Sequence, residues 1–91
     1  MKQTEANDLV IKTISRILKS ENKVTEEMKL IGGESLLDSM KLVEVCVALE
    51  DLAEKEDFEF DWTSADAMSK SRSMFRNVSA LAKEFARQSE L

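Results

Sequence analysis

Three side chains in this sequence could act as nucleophiles or accept a covalent group at a defined position: Ser39, Ser35 and Cys46. Ser39 stands in Asp38-Ser39-Met40, where a polar loop gives way to an apolar-periodic stretch, and Ser35 lies four residues upstream in Gly32-Gly33-Glu34-Ser35-Leu36. The chain contains no histidine and a single cysteine, so neither a Ser/His/Asp triad nor a Cys/His pair can be assembled within it. No catalytic residue is therefore expected. Structural zinc is excluded, because only carboxylates and Cys46 are available as ligands. Asp57, Glu59 and Asp61 mimic positions 1, 3 and 5 of a calcium loop, but Trp62 occupies the glycine position and Met68 the terminal glutamate. No metal is expected.

The elements that must hold these residues follow from apolar spacing. Ala6, Leu9, Val10, Ile14, Ile17 and Leu18 recur at steps of three and four, which predicts a first helix from Thr4 to Lys19 with Thr4 as its N-cap. Residues 20 to 37 show no sustained period and read as a long loop, with one turn of helix at Glu26 to Leu30 ended by Gly32-Gly33. A second helix starts near Ser39 and runs to Glu54–Glu56, capped by Asp38, with Leu42, Val45, Cys46, Leu49, Leu52 and Ala53 as its inward stripe. Cys46 is accordingly a small core residue. Met40, Val43 and Val47 fall off that stripe beside Glu44 and Glu50, the composition of a partner-docking face.

Beyond the second helix, Phe58-Glu59-Phe60-Asp61-Trp62 alternates strictly, so an extended segment would place its three aromatics on one side. Thr63-Ser64-Ala65-Asp66 has capping-box spacing and predicts a short helix from Ser64 to Met68, followed by a basic loop from Ser69 to Ser73. Asn77 caps a final helix with Val78, Leu81, Ala82 and Phe85 inward. The fold expected is all-α: a small bundle of three to four helices with a long first loop, in a single domain spanning 1–91.

The stretch from Asp38 to Asp51 resembles the attachment site of the acyl carrier protein family. In that family the modified serine follows an aspartate, precedes leucine or methionine, and opens a helix with a fixed pattern. Here Asp38, Ser39, Met40, Val43, Glu44, Leu49 and Glu50 meet that pattern. The resemblance extends over residues 5 to 88. It implies that 4'-phosphopantetheine is attached to Ser39, flanked by Asp38, by a phosphopantetheinyl transferase drawing on coenzyme A. It also implies that acyl groups travel on the arm as thioesters, that Met40, Val43, Glu44, Val47, Glu50 and Asp51 face partner enzymes, and that the acyl chain shelters against Cys46, Leu49 and Leu81. A helix N-terminus suits such a phosphodiester, since its free N–H groups and dipole favour an anion by about 0.3 to 1 kcal/mol.

Gly32-Gly33-Glu34-Ser35-Leu36 is similar instead to the signature of peptidyl carrier proteins, and an aminoacyl or peptidyl carrier is the alternative within the class. The helix pattern is in phase with Ser39 and not with Ser35, whose fourth and fifth followers are Ser39 and Met40. Leu36 where the acyl carriers have glycine, Lys41 where they have an acid, and a long aromatic stretch from Glu56 to Arg76 imply a specialised carrier rather than a housekeeping one.

The net charge of -5 is concentrated. Residues 34 to 61 hold ten acids against Lys41 and Lys55. Such a field repels nucleic acid and attracts basic protein surfaces, which fits acyl-activating, condensing or acyltransferase enzymes as partners. From another class, the same charge would suit a non-covalent helical adaptor with an acidic face. The amino-terminal residues are too polar for a signal peptide, no apolar run reaches 18 residues, and an intramolecular disulfide is impossible with one cysteine. A cytoplasmic monomer without membrane contact is expected.

Overall fold

The computed structural model describes residues 1–19, 24–32 and 37–91, and among these the chain forms five helices and no strand. The first, α1 (Gln3–Leu18), buries Ala6, Val10 and Ile14 completely, with Leu9, Ile17 and Leu18 half-buried at the edges of that stripe. It begins before Thr4, which is exposed inside the first turn and caps nothing; Lys2 holds the cap position without a side-chain hydrogen bond. The start is anchored instead by one side-chain bond within the helix and one contact from the far end of the chain. Gln3 Nε2 donates to Asn7 Oδ1 at 2.8 Å, and the terminal ammonium meets Glu90 Oε1 at 2.6 Å, holding that carboxyl below its ordinary pKa.

The second helix, α2 (Ser39–Lys55), buries Val45, Cys46, Leu49 and Ala53 and leaves Leu42 and Leu52 half-covered. It ends in a reversal at Asp57, whose φ of 62° is left-handed. Asp57 N–H donates to Glu54 O at 3.2 Å and Phe58 N–H to Ala53 O at 3.0 Å, the bond pair of a Schellman termination. Aspartate tolerates this conformation better than most residues. The reversal delivers the chain into the segment 58–62.

That segment runs without regular hydrogen-bonded structure, with Phe60 buried, Phe58 and Trp62 half-buried, and Glu59 and Asp61 outward. Phe58 and Phe60 meet the ring of Phe85 edge-on, at centroid distances of 5.1 and 5.2 Å. Among the described residues no neighbouring strand pairs with it; at Asp61 a side chain, that of Gln88, satisfies the backbone instead. The side-chain amide of Gln88 accepts from Asp61 N–H at 2.6 Å and donates to Asp61 O at 2.9 Å, presenting to one residue what a paired strand would present. Truncating it orphans a part-buried donor and acceptor together. Gln88→Ala is expected to cost about 1 to 3 kcal/mol and to accelerate amide exchange at Asp61. Unchanged exchange there would show that the amide pairing does not hold the segment.

Two short helices follow, α3 (Ala65–Ser69) and α4 (Ser71–Met74). The cap of α3 is Ser64, whose hydroxyl accepts from Ala67 N–H at 3.1 Å, so the capping box expected from Thr63 does not form. Ser64 is itself held by Asp61, which accepts from its N–H at 3.1 Å and its hydroxyl at 2.6 Å; these bonds lower the Asp61 pKa. The basic loop expected at Ser69 to Ser73 is largely α4. Met74 and Phe75 are buried, and winding the preceding residues into a turn is what carries both side chains inward.

The last helix, α5 (Val78–Ser89), buries Val78, Leu81, Ala82 and Phe85 completely. Its first three amides are all satisfied: Ala80 N–H by Asn77 Oδ1 at 2.7 Å, Val78 N–H by Met28 O at 3.0 Å and Ser79 N–H by Glu26 O at 2.9 Å. Those carbonyls come from the first loop, where one turn closes with Met28 N–H on Thr25 O at 3.2 Å. The helical turn expected at Glu26 to Leu30 is absent, because the carbonyls it would use point at α5. Val24 and Leu30 anchor the loop in the core. Of the expected glycine pair, Gly32 is left-handed with φ 100°, and Gly33 lies outside the described residues.

α1 is the central helix, packing on both α5 and α2, while α4 packs on α5 and α3. The architecture is thus an all-helical bundle of three long helices with two short ones closing one side. Among the described residues, no helix is long and apolar enough to cross a membrane.

Candidate functional site

Ser39 is the first residue of α2 and is exposed. Asp38 precedes it in extended conformation, and its Oδ1 accepts from Lys41 N–H at 2.8 Å while its carbonyl accepts from Leu42 N–H at 3.0 Å. A helix start has no carbonyl of its own to offer its first amides. The N–H groups of Ser39 and Met40 therefore remain at the helix end beside the hydroxyl, in contrast to α5, whose first three amides are all taken. The first turn holds no acidic side chain and one base, Lys41. Its Nζ lies 4.0 Å from Glu44 Oε2 with both side chains about half exposed, a contact worth at most about 1 kcal/mol.

Along the outward face of α2, Met40 is 76% exposed and Val43 and Val47 are each 46% exposed. Positions 40, 43 and 47 share one stripe of the helix, and Glu44, Glu50 and Asp51 are exposed beside them. Among the described residues these three are half of the large apolar side chains left exposed; Ile31, Met68 and Leu91 are the others. All six expected docking residues thus lie on the surface of one helix that starts at Ser39.

No family model, curated protein or solved structure matches the chain.

The residues expected to shelter a cargo are placed differently. Cys46, Leu49 and Leu81 are all completely buried, within one continuous core that includes Ala6, Val10 and Ile14 of α1. They belong to packed core rather than to the wall of an open tunnel. Burial, with Glu50 nearby, pushes the Cys46 thiol up to about 12 from 9.0. Its thiolate is disfavoured and its sulfur is out of reach, so Cys46 is a core side chain and not a reactive one. Two results are expected. Alkylating reagents leave Cys46 unmodified in the folded protein and label it in urea. Since the unfolded thiol ionises near 9.0 and the native one only near 12, the stability it contributes is complete below pH 9 and is lost as pH rises from there towards 12. A Cys46→Val variant should lack that alkaline decline.

The structure adds neighbours that the spacing on α2 did not reveal. Trp62 Nε1 donates to Glu50 Oε1, tying the aromatic segment to the acidic face. Between α2 and that segment lies a cleft of about 580 Å³ whose lining includes Glu50, Asp51, Glu54, Phe58, Glu59 and Asp61. The acids of helix and segment, read as one charged stretch along the chain, converge in space. The alternation of residues 58 to 62 was the available signal, since it turns Glu59 and Asp61 outward when the aromatics turn in. Ser35 lies outside the described residues.

Proposed function

We propose that the chain is an acyl carrier whose modified residue is Ser39. The observation that carries this reading is the combination, on one helix, of an exposed serine at the first position, amides beside it that have no partner among the described residues, and a solvent-facing stripe of Met40, Val43 and Val47 bordered by acids. When attached, a 4'-phosphopantetheine arm supplies a terminal thiol on which an acyl group is carried as a thioester.

The residues of the chain would do the rest. The Ser39 hydroxyl provides the oxygen of the phosphodiester, and no base is needed beside it because a transferase with its own catalytic groups deprotonates it. The Ser39 and Met40 amides and the Lys41 ammonium favour the resulting anion. The Asp38 carboxylate opposes it, but keeps Lys41 N–H satisfied and the helix start rigid. Met40, Val43 and Val47 offer apolar contact to a partner enzyme, and Glu44, Glu50 and Asp51 offer carboxylates to a basic surface. An acyl chain sheltering by Cys46, Leu49 and Leu81 would have to part a closed core. A short or transiently sheltered cargo suits that packing better than a long one.

Co-expression with a broad-specificity phosphopantetheinyl transferase, followed by intact-mass measurement, tests the reading. A mass gain of one arm is expected, and an unchanged mass would return the protein to the adaptor class. For the docking face, transfer of an acyl group to or from a partner enzyme should slow as salt is raised through the range where exposed charges are screened beyond about 8 Å. Salt-independent rates would remove the electrostatic part of the proposal.

A further inference from the structure

A second charged surface lies away from α2 and plays no part in the carrier reading. On α5, positions 80, 83, 84 and 87 form one stripe that faces α4 across a concave groove of about 310 Å³. Lys83 and Arg87 rise from this stripe, and Lys70 and Arg76 from the two ends of α4. Met74, almost completely buried, and Ala80 supply an apolar floor. The charges are not all spent. Lys70 pairs with Asp66 at 3.2 Å and Arg87 with Glu84 at 2.7 Å, while Arg76 and Lys83, and Arg72 nearby on α4, have no ion-pair partner among the described residues.

Unpaired cations gathered on one groove of a chain with net charge -5 run against the overall balance. We infer that the α4–α5 groove docks an acidic, partly apolar peptide segment of a partner protein. Charge complementarity names the carboxylates, and the floor names the apolar positions. The shape selects among anionic ligands. The lining stripe runs from residue 80 to residue 87 of α5, about 10 Å along the helix axis, with Lys83 and Arg87 on it and Lys70 and Arg76 at the ends of α4, a spread of cations that suits several carboxylates in a row better than a single phosphate. The groove is concave, so a flat lipid surface would reach its rim and leave its floor empty.

The test is titration of the isotope-labelled protein with three probes, read by amide chemical shifts: a synthetic peptide alternating glutamate and leucine at helical spacing, inorganic pyrophosphate, and phosphatidylglycerol vesicles. The peptide is expected to shift Ser71 to Arg76 and Ala80 to Arg87, and Arg76→Glu/Lys83→Glu to weaken its binding about tenfold. Both substituted side chains are exposed or at the groove rim, and the helical circular dichroism of the variant confirms its fold; the milder Lys83→Ala, with a smaller loss, provides a second check. Peptide shifts located elsewhere, affinity unchanged by the charge reversal, or no peptide binding would overturn the assignment. So would shifts of these residues by pyrophosphate or vesicles alone, or with rising protein concentration alone; the last would give the groove to the acidic face of a second copy. None of these outcomes depends on whether Ser39 is modified.

Discussion

Ser39→Ala is expected to abolish arm loading completely, while Ser35→Ala loads as the unsubstituted chain does. The effect is all-or-none because the hydroxyl oxygen is itself the bridging atom of the phosphodiester, so no neighbouring group can compensate for its loss. The substitution should leave the fold unchanged: Ser39 is exposed, its side chain caps nothing, and the cap bond to Lys41 N–H comes from Asp38. Loss of loading with unchanged thermal unfolding therefore isolates the chemical role. Asp38→Ala makes the complementary experiment, since it removes the cap and should destabilise by about 0.5 to 2 kcal/mol while leaving the acceptor oxygen present. A mass gain that persists in Ser39→Ala and vanishes in Ser35→Ala would move the site to the upstream serine.

The largest effect on stability is expected at Phe85. Its side chain is completely buried and receives the edges of both Phe58 and Phe60, so it joins α5 to the segment leaving α2. Phe85→Ala opens a cavity where two other rings lose their partner, and large-to-small changes of this type cost about 3 to 5 kcal/mol. Against a total stability of about 5 to 15 kcal/mol for a domain of ordinary size, that is a large share of the margin, and nearly all of it at the low end of the range. Phe85→Leu keeps most of the volume and should lose clearly less. The measurement is urea unfolding followed by Trp62 fluorescence and far-ultraviolet circular dichroism together. Equal losses in the alanine and leucine variants would show that ring geometry rather than the cavity dominates.

What could be read from the residues alone separates cleanly by range. The stripes of α1, α2 and α5 and the caps Asp38 and Asn77 were legible because each depends on residues within a turn or two of one another. The exposed line of Met40, Val43 and Val47 was legible for the same reason, as the remainder after the inward stripe is assigned. α4 was not, because four residues rich in serine and charge carry no period. It forms because Met74 and Phe75 have a core to enter, which is a tertiary cause. Thr4 had the right chemistry for a cap, yet α1 starts before it, where Gln3 bonds the carbonyl of Ser79 and the terminal ammonium meets Glu90, both distant in sequence. Glu26 to Leu30 had no local reason to avoid a helical turn; their carbonyls are directed at amides some fifty residues away. At the site, the convergence of Glu50 with Trp62 and with the acids of the aromatic segment needed the reversal at Asp57, whose left-handed backbone no spacing rule announces.

The segment from Phe58 to Trp62 has a further property as a member of a crowded solution. A lone extended stretch rich in phenylalanine is ordinarily a hazard, since its open edge invites a stretch from a neighbouring molecule to pair with it and begin an aggregate. Here the edge is occupied at Asp61 by Gln88, and the side chains that alternate with the rings are Glu59 and Asp61. An incoming chain would have to displace an amide already bound and approach two carboxylates. One glutamine thus gives the molecule a guard against self-assembly that would otherwise require a whole additional strand.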